Sequence, residues 1–273
     1  MTAPRRTPEL TDIRGLIIDL DGVLWVGDTP LPGLHDFFAL LHGRDIPYTL
    51  ASNNATATPQ AVHSKLRRMG VDVEPNRIIT SSEATAAYLQ RRLTPGAGVL
   101  VVGEEGLRSA LARAGFVLRD RAEGVSAVAV GLDRSATYNS LAEATFALRA
   151  GALFVATNPD PTFPTERGLG PGAGALLALL QTACGLSPVI IGKPEPYLFR
   201  HALERIGVDA QHALVVGDRL ETDILGGQRA GLATALLLTG VTTDLALAES
   251  PIRPTWAFAG LPELTQALRD STR

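Results

Sequence analysis

Apolar residues along this chain fall into two alternating patterns. Short unbroken runs such as Leu16-Ile17-Ile18, Tyr48-Thr49-Leu50-Ala51 and Ile78-Ile79-Thr80 predict buried strands. Between them apolar positions recur at helical spacing: Phe37, Phe38, Leu40 and Leu41, then Val62, Leu66 and Met69 up to a stop at Gly70. Ser81-Ser82-Glu83 reads as the cap of a helix carrying Ala87-Tyr88-Leu89. The pattern then restarts, with strands at Val99–Val102, Ala127–Val130 and Leu153–Ala156. Helices around Leu107–Ala114 and Leu141–Leu148 separate them. From about Val189 it resumes once more: a helical face of Leu198, Phe199, Ala202, Leu203 and Ile206, strands near Val215, Leu237 and Trp256, and a last helix around Leu264–Leu268. Strands alternating with helices predict α/β architecture with a largely parallel sheet. The middle block predicts a small α/β domain of residues 83–184, inserted into a core of residues 1–82 and 185–273. No tandem repeat or low-complexity tract interrupts the pattern.

Length and composition narrow the class. With 273 residues, 45% of them hydrophobic, the chain can bury a large core and is expected to form two domains. A net charge of −3 without a basic stripe argues against a nucleic-acid partner. Arg5-Arg6 is followed by polar residues, which argues against a signal peptide, and no apolar run reaches membrane-spanning length. The single cysteine, Cys184, cannot form an internal disulfide. It suits a reducing, cytoplasmic setting as a packed thiol at a helix end. The five histidines are dispersed, without zinc-ligand spacing, and Arg67-Arg68 and Arg91-Arg92 read as solvated helix faces.

Four fragments carry candidate chemistry. Asp19 and Asp21 follow a buried strand, and residues two apart on a strand face one side. Their repulsion calls for a divalent cation, a shared proton or different tasks, unless both are simply solvated turn residues. Ser52-Asn53-Asn54 ends a second strand just before a helix, which suits either an anion or an ordinary helix cap. Lys193, between Gly192 and Pro194, is one of only two lysines among 25 basic residues, which suits either a need for a compact ammonium or an unselected surface lysine in a Pro-rich loop. Ala213-Leu214-Val215-Val216 leads into Gly217-Asp218, and Asp223 lies five residues further on.

Taken in order, these fragments resemble the four motifs of haloacid dehalogenase-superfamily phosphohydrolases. Together with Thr157-Asn158-Pro159-Asp160 they look most like the subclass IIA, NagD-like phosphatases, over about Leu16 to Leu268. The resemblance implies a Rossmann-like parallel-sheet core with an inserted α/β type-2 cap domain. It implies hydrolysis of small phosphate monoesters, with Asp19 as nucleophile and Asp21 as general acid and then base. Mg²⁺ would be held by Asp19, the Asp21 carbonyl and Asp218, with Asp223 in support. Ser52, the Asn53 N–H and Lys193 would bind the phosphoryl group. Asn158, Asp160 and Phe163 are the candidate substrate contacts from the inserted domain, and a homodimer through the cap would suit the subclass. Gly170-Pro171-Gly172-Ala173-Gly174 is no nucleotide fingerprint and is expected to shape a helix entry. A phosphomutase would share the motifs. A dehalogenase has no use for Asp21, a phospho-receiver is shorter and ordered differently, and a silent binding protein need not keep every catalytic side chain.

Overall fold

The computed structural model describes residues 8–165 and 167–271, so Arg5-Arg6 lie outside the described residues. The chain divides into two compact units. One takes in residues up to Ala51, His63–Ile78 and Phe199 onward, and the other takes Ser52–Val62 and Ile79–Leu198.

Most of a six-stranded sheet belongs to the first unit. The sheet's strands run in the order Trp256–Phe258, Ala233–Leu237, Ala213–Gly217, Gly15–Ile18, Tyr48–Ser52 and Ile78–Thr80. Gly15–Ile18 pairs in parallel with Ala213–Gly217 on one side and with Tyr48–Ser52 on the other. Leu16, Ile17 and Ile18 have no exposed surface, which is why this strand is an unbroken apolar run instead of an alternating one. The chain starts in the middle of the sheet, steps outward through Tyr48–Ser52, and later steps outward the other way from Ala213–Gly217. The strand order therefore reverses between Gly15–Ile18 and Ala213–Gly217, the place where ligands collect at the carboxyl ends of parallel strands.

The second unit carries a five-stranded sheet in the order Val189–Ile190, Leu153–Ala156, Val125–Val130, Gly98–Val102 and Val117–Arg119, with every pair parallel. Val99 and Val101 pack with Leu89, Leu107 and Leu111 on one face. Leu100 and Val102 pack with Leu148, Phe154 and Leu177 on the other. Helices thus cover both faces, again removing the polar alternation. The inserted α/β cap of the fold lies within this unit.

Local pairing differs from the sequence reading in two places. The Val189–Ile190 strand, placed with the core by its position in sequence, takes its hydrogen bonds from Leu153–Ala156 in the other sheet. A short apolar strand of this kind says nothing about which sheet edge it joins. The segment from Pro159 onward, given no strand by the sequence pattern, forms an antiparallel hairpin of Thr162–Thr165 with Gly168–Pro171 before the helix Ala173–Cys184.

Candidate active site

In the first unit, strand pairing brings three carboxylates together. Because Ile18 lies opposite Val216, the residues that follow each strand meet, and the Asp19 N–H donates to the Val216 carbonyl at 2.8 Å. Asp218 and Asp223 are each 1% exposed, and Asp19 is half-buried. One carboxylate oxygen from each of Asp19, Asp218 and Asp223 lies within 4.8 Å of the others.

Glycines make this packing possible. Gly22 sits at φ +82°, and a Cβ there would collide with the Asp218 carboxylate, as would one at Gly240. A Cβ at Gly217 would strike the Asp223 side chain. The Val241 N–H donates to Asp218 Oδ2 at 2.7 Å. Asp223 is held by a single π-helical turn over Leu220–Ile224, where the Arg219 N–H donates to Asp223 Oδ2 at 3.2 Å and the Thr222 hydroxyl does so at 3.4 Å. Three anions packed this closely away from water repel one another strongly unless a cation lies among them. Hard carboxylate oxygens gathered this closely fit a divalent ion such as Mg²⁺.

Asp21 stands apart from this cluster. It is exposed, and its Oδ1 accepts the indole N–H of Trp25 at 2.8 Å. Gly22 turns the chain, so that its N–H donates to the Trp25 carbonyl at 2.8 Å.

The second unit gathers the amide-rich fragments around the lysine. Asn53 Oδ1 accepts the Lys193 N–H at 2.7 Å, and Asn53 Nδ2 donates to the Lys193 carbonyl at 2.9 Å. This two-point clasp holds the Lys193 backbone, and the lysine is 3% exposed. A Cβ at Gly192 would strike Asn53 Oδ1, so only glycine fits ahead of the lysine. The Asn53 carbonyl accepts the Ser81 hydroxyl at 2.8 Å and Asn158 Nδ2 at 3.0 Å. The Ser52 hydroxyl accepts the Asn54 N–H at 3.1 Å, and Asn54 Oδ1 caps Thr56.

The candidate substrate contacts of the inserted domain lie on and just before the Thr162–Thr165 strand. Asn158 is 6% exposed, and its amide bridges the Asn53 carbonyl and the Asp160 N–H, so it fixes the loop. Phe163 is half-buried on the hairpin, with its ring beside Gly170, and Asp160 is half-buried before it. Sequence reasoning passed over Trp25, Gly240 and Val241. The available signals were an aromatic four residues after Asp21 and a glycine just past the Ala233–Leu237 strand.

Comparison with known proteins points the same way. Residues 16–117 match a model described as haloacid dehalogenase-like hydrolase, and residues 190–264 match a HAD-hydrolase-like model. An acid sugar phosphatase of Staphylococcus aureus is 41% identical over 250 residues, covering 92% of this chain and 96% of that protein. A glycerol phosphate phosphatase of Mycobacterium tuberculosis, solved with magnesium, superposes with a TM-score of 0.87 at 38% identity. That match covers 96% of this chain and 79% of the other. A 4-nitrophenylphosphatase of Thermotoga maritima gives 0.89 at 33% identity, covering 97% of this chain and all of the other (100%).

Proposed function

The chain belongs to the haloacid dehalogenase-like hydrolases as a phosphatase of the NagD-like type, and from that premise we propose Mg²⁺-dependent hydrolysis of small phosphate monoesters through a phosphorylated Asp19. The observation that carries this reading is the packing of Asp19 with Asp218 and Asp223 at the reversal of strand order, while Asp21 is held separately by Trp25.

Asp19 attacks phosphorus, so that one difficult displacement by water becomes two easier steps. Asp21 protonates the departing oxygen and then takes the proton of the incoming water. The separate environment of Asp21 supports this division of labour, since a carboxylate outside the cluster is not committed to a cation. Side chains of Asp19 and Asp218 and the Asp21 carbonyl would hold Mg²⁺, and Asp223, fixed by its turn, would orient what surrounds the ion. When bound, the ion offsets the charge of these carboxylates and of the phosphoryl oxygens.

Ser52, the Asn53 N–H and the Lys193 ammonium are assigned to the phosphoryl group, where they stabilise charge carried by its oxygens. The clasp between Asn53 and Lys193 supports this role by fixing the lysine backbone. Asp160 and Phe163 are assigned to the leaving group. The names of the relatives put sugar phosphates, glycerol phosphate and aryl phosphates among the substrates to test first.

The deciding experiment is turnover of 4-nitrophenyl phosphate by the Asp19→Asn variant. Activity is expected to fall by at least about 10³-fold, with thermal unfolding little changed. Turnover close to that of the parent would remove Asp19 as nucleophile.

A further inference from the structure

Trp25 is 2% exposed, yet its one polar atom is spent on an exposed carboxylate instead of a backbone group. Such a donor could have been satisfied anywhere, and its direction towards Asp21 fixes one rotamer of an otherwise free side chain. The indole is itself clamped. Lys65 Nζ lies 4.6 Å above the Trp25 ring, donates to the Gly27 carbonyl at 2.7 Å and faces Asp28 at 3.5 Å. Trp25 and Val26 also pair with Pro30 and Thr29 across a short hairpin. A cation over the ring face draws electron density from the indole and strengthens its N–H as a donor.

We infer that Trp25, locked by Lys65, is a positioning residue for leaving-group protonation: its N–H occupies Asp21 Oδ1 and so assigns the transferable proton to Oδ2. This inference rests on the role given above to Asp21. In the first step the Asp21 Oδ2–H proton passes to the leaving oxygen as the P–O bond breaks, with that bond's electron pair staying on the oxygen. The Asp19–phosphorus bond forms at the same time. In the second step water attacks phosphorus, its proton goes to Asp21 Oδ2, and the Asp19–phosphorus bond breaks to release phosphate. Both steps balance, and Oδ1 stays with the indole throughout.

The leaving group provides the test. An alkoxide needs a proton to depart, whereas 4-nitrophenolate departs almost unaided, so a defect in protonation separates the two substrates and a merely structural defect does not. Trp25→Phe and Lys65→Met are compared with the parent on glycerol phosphate and 4-nitrophenyl phosphate, with Asp21→Asn as reference. The Trp25 variant is expected to lose kcat about tenfold more on the alkyl ester than on the aryl ester, with KM little changed, and the Lys65 variant to lose less in the same direction. Equal losses on both esters by Trp25→Phe, while Asp21→Asn discriminates, would overturn the inference alone. No discrimination by Asp21→Asn would instead overturn the role of Asp21.

A second measurement does not depend on turnover or on folding of the Trp25 variant. The chain has two tryptophans, so its indole N–H resonances are resolved in a nitrogen–proton spectrum, with Trp256→Phe assigning them. The Trp25 proton is expected downfield of the Trp256 proton and to move upfield in Asp21→Ala. A resonance unmoved by that substitution would show that no such bond exists in solution.

Discussion

Gly22 concentrates several demands in one residue. Its φ of +82° disfavours any side chain, its Cβ position is taken by the Asp218 carboxylate, and its carbonyl accepts the Thr239 hydroxyl at 2.7 Å. Gly22→Ala is therefore expected to cost at least about 2 kcal/mol of stability and to reduce turnover more than tenfold, since relieving the clash moves Asp218. Denaturant unfolding and steady-state kinetics check the two parts. Tyr48 illustrates a different residue-scale effect. Burial, opposed by the nearby Arg77 cation, pushes its hydroxyl from 10.0 up to about 12, and that hydroxyl meets His42 Nε2 at 2.9 Å. A raised pKa in the folded state means that the native protein holds this proton more tightly than the unfolded chain does. The contribution is complete below pH 10.0 and is lost as pH climbs to about 12. Tyr48→Phe should flatten that part of the stability profile, as read from unfolding midpoints at increasing pH.

Asn53 works between elements. Its amide joins the end of the Tyr48–Ser52 strand to the backbone of Lys193, and its carbonyl collects Ser81 from the helix Ser81–Gln90 and Asn158 from the loop after Leu153–Ala156. Asn53→Ala removes both side-chain bonds to Lys193 and leaves a buried N–H and carbonyl to find other partners. The expected result is a loss of about 2 kcal/mol in stability and a rise in KM for phosphate monoesters, with inorganic phosphate weakened as an inhibitor by a similar factor. Unchanged phosphate inhibition would separate Asn53 from the lysine it holds. The turn over Leu220–Ile224 belongs to the same scale. It inserts Asp223 beside Gly217, where an ordinary helix start would have carried the carboxylate elsewhere.

Across the molecule, the acidic cluster links folding to ligand. Asp19, Asp218 and Asp223 come from segments some two hundred residues apart in sequence, so only the folded chain offers them together. A cation that binds the native state alone stabilises it by mass action, by about 2.7 kcal/mol at a concentration one hundred times Kd. Mg²⁺ is expected to raise the melting temperature of the parent by several degrees, and Asp218→Asn to abolish that rise. Melting curves with and without a chelator decide it. An equal rise in the variant would place the stabilising ion elsewhere. Among the described residues no helix is long and apolar enough to cross a membrane.

How much of this was legible beforehand follows from the range of each interaction. Strands such as Leu16–Ile18 and Leu214–Val216 were readable because burial on both faces leaves an unbroken apolar run, and the residues behind them carried the family resemblance. The clasp from Asn53 to Lys193, the bond from Trp25 to Asp21 and the edge joined by Val189 left no periodic trace. Side-chain amides and indoles look alike in sequence whether they face a ligand or the backbone, as Asn158 demonstrates. Local sequence determined which elements form and which residues end them. Only tertiary packing decided which strand ends lie side by side, because hydrogen-bond partners are chosen by register and proximity, and neither is encoded at any one position.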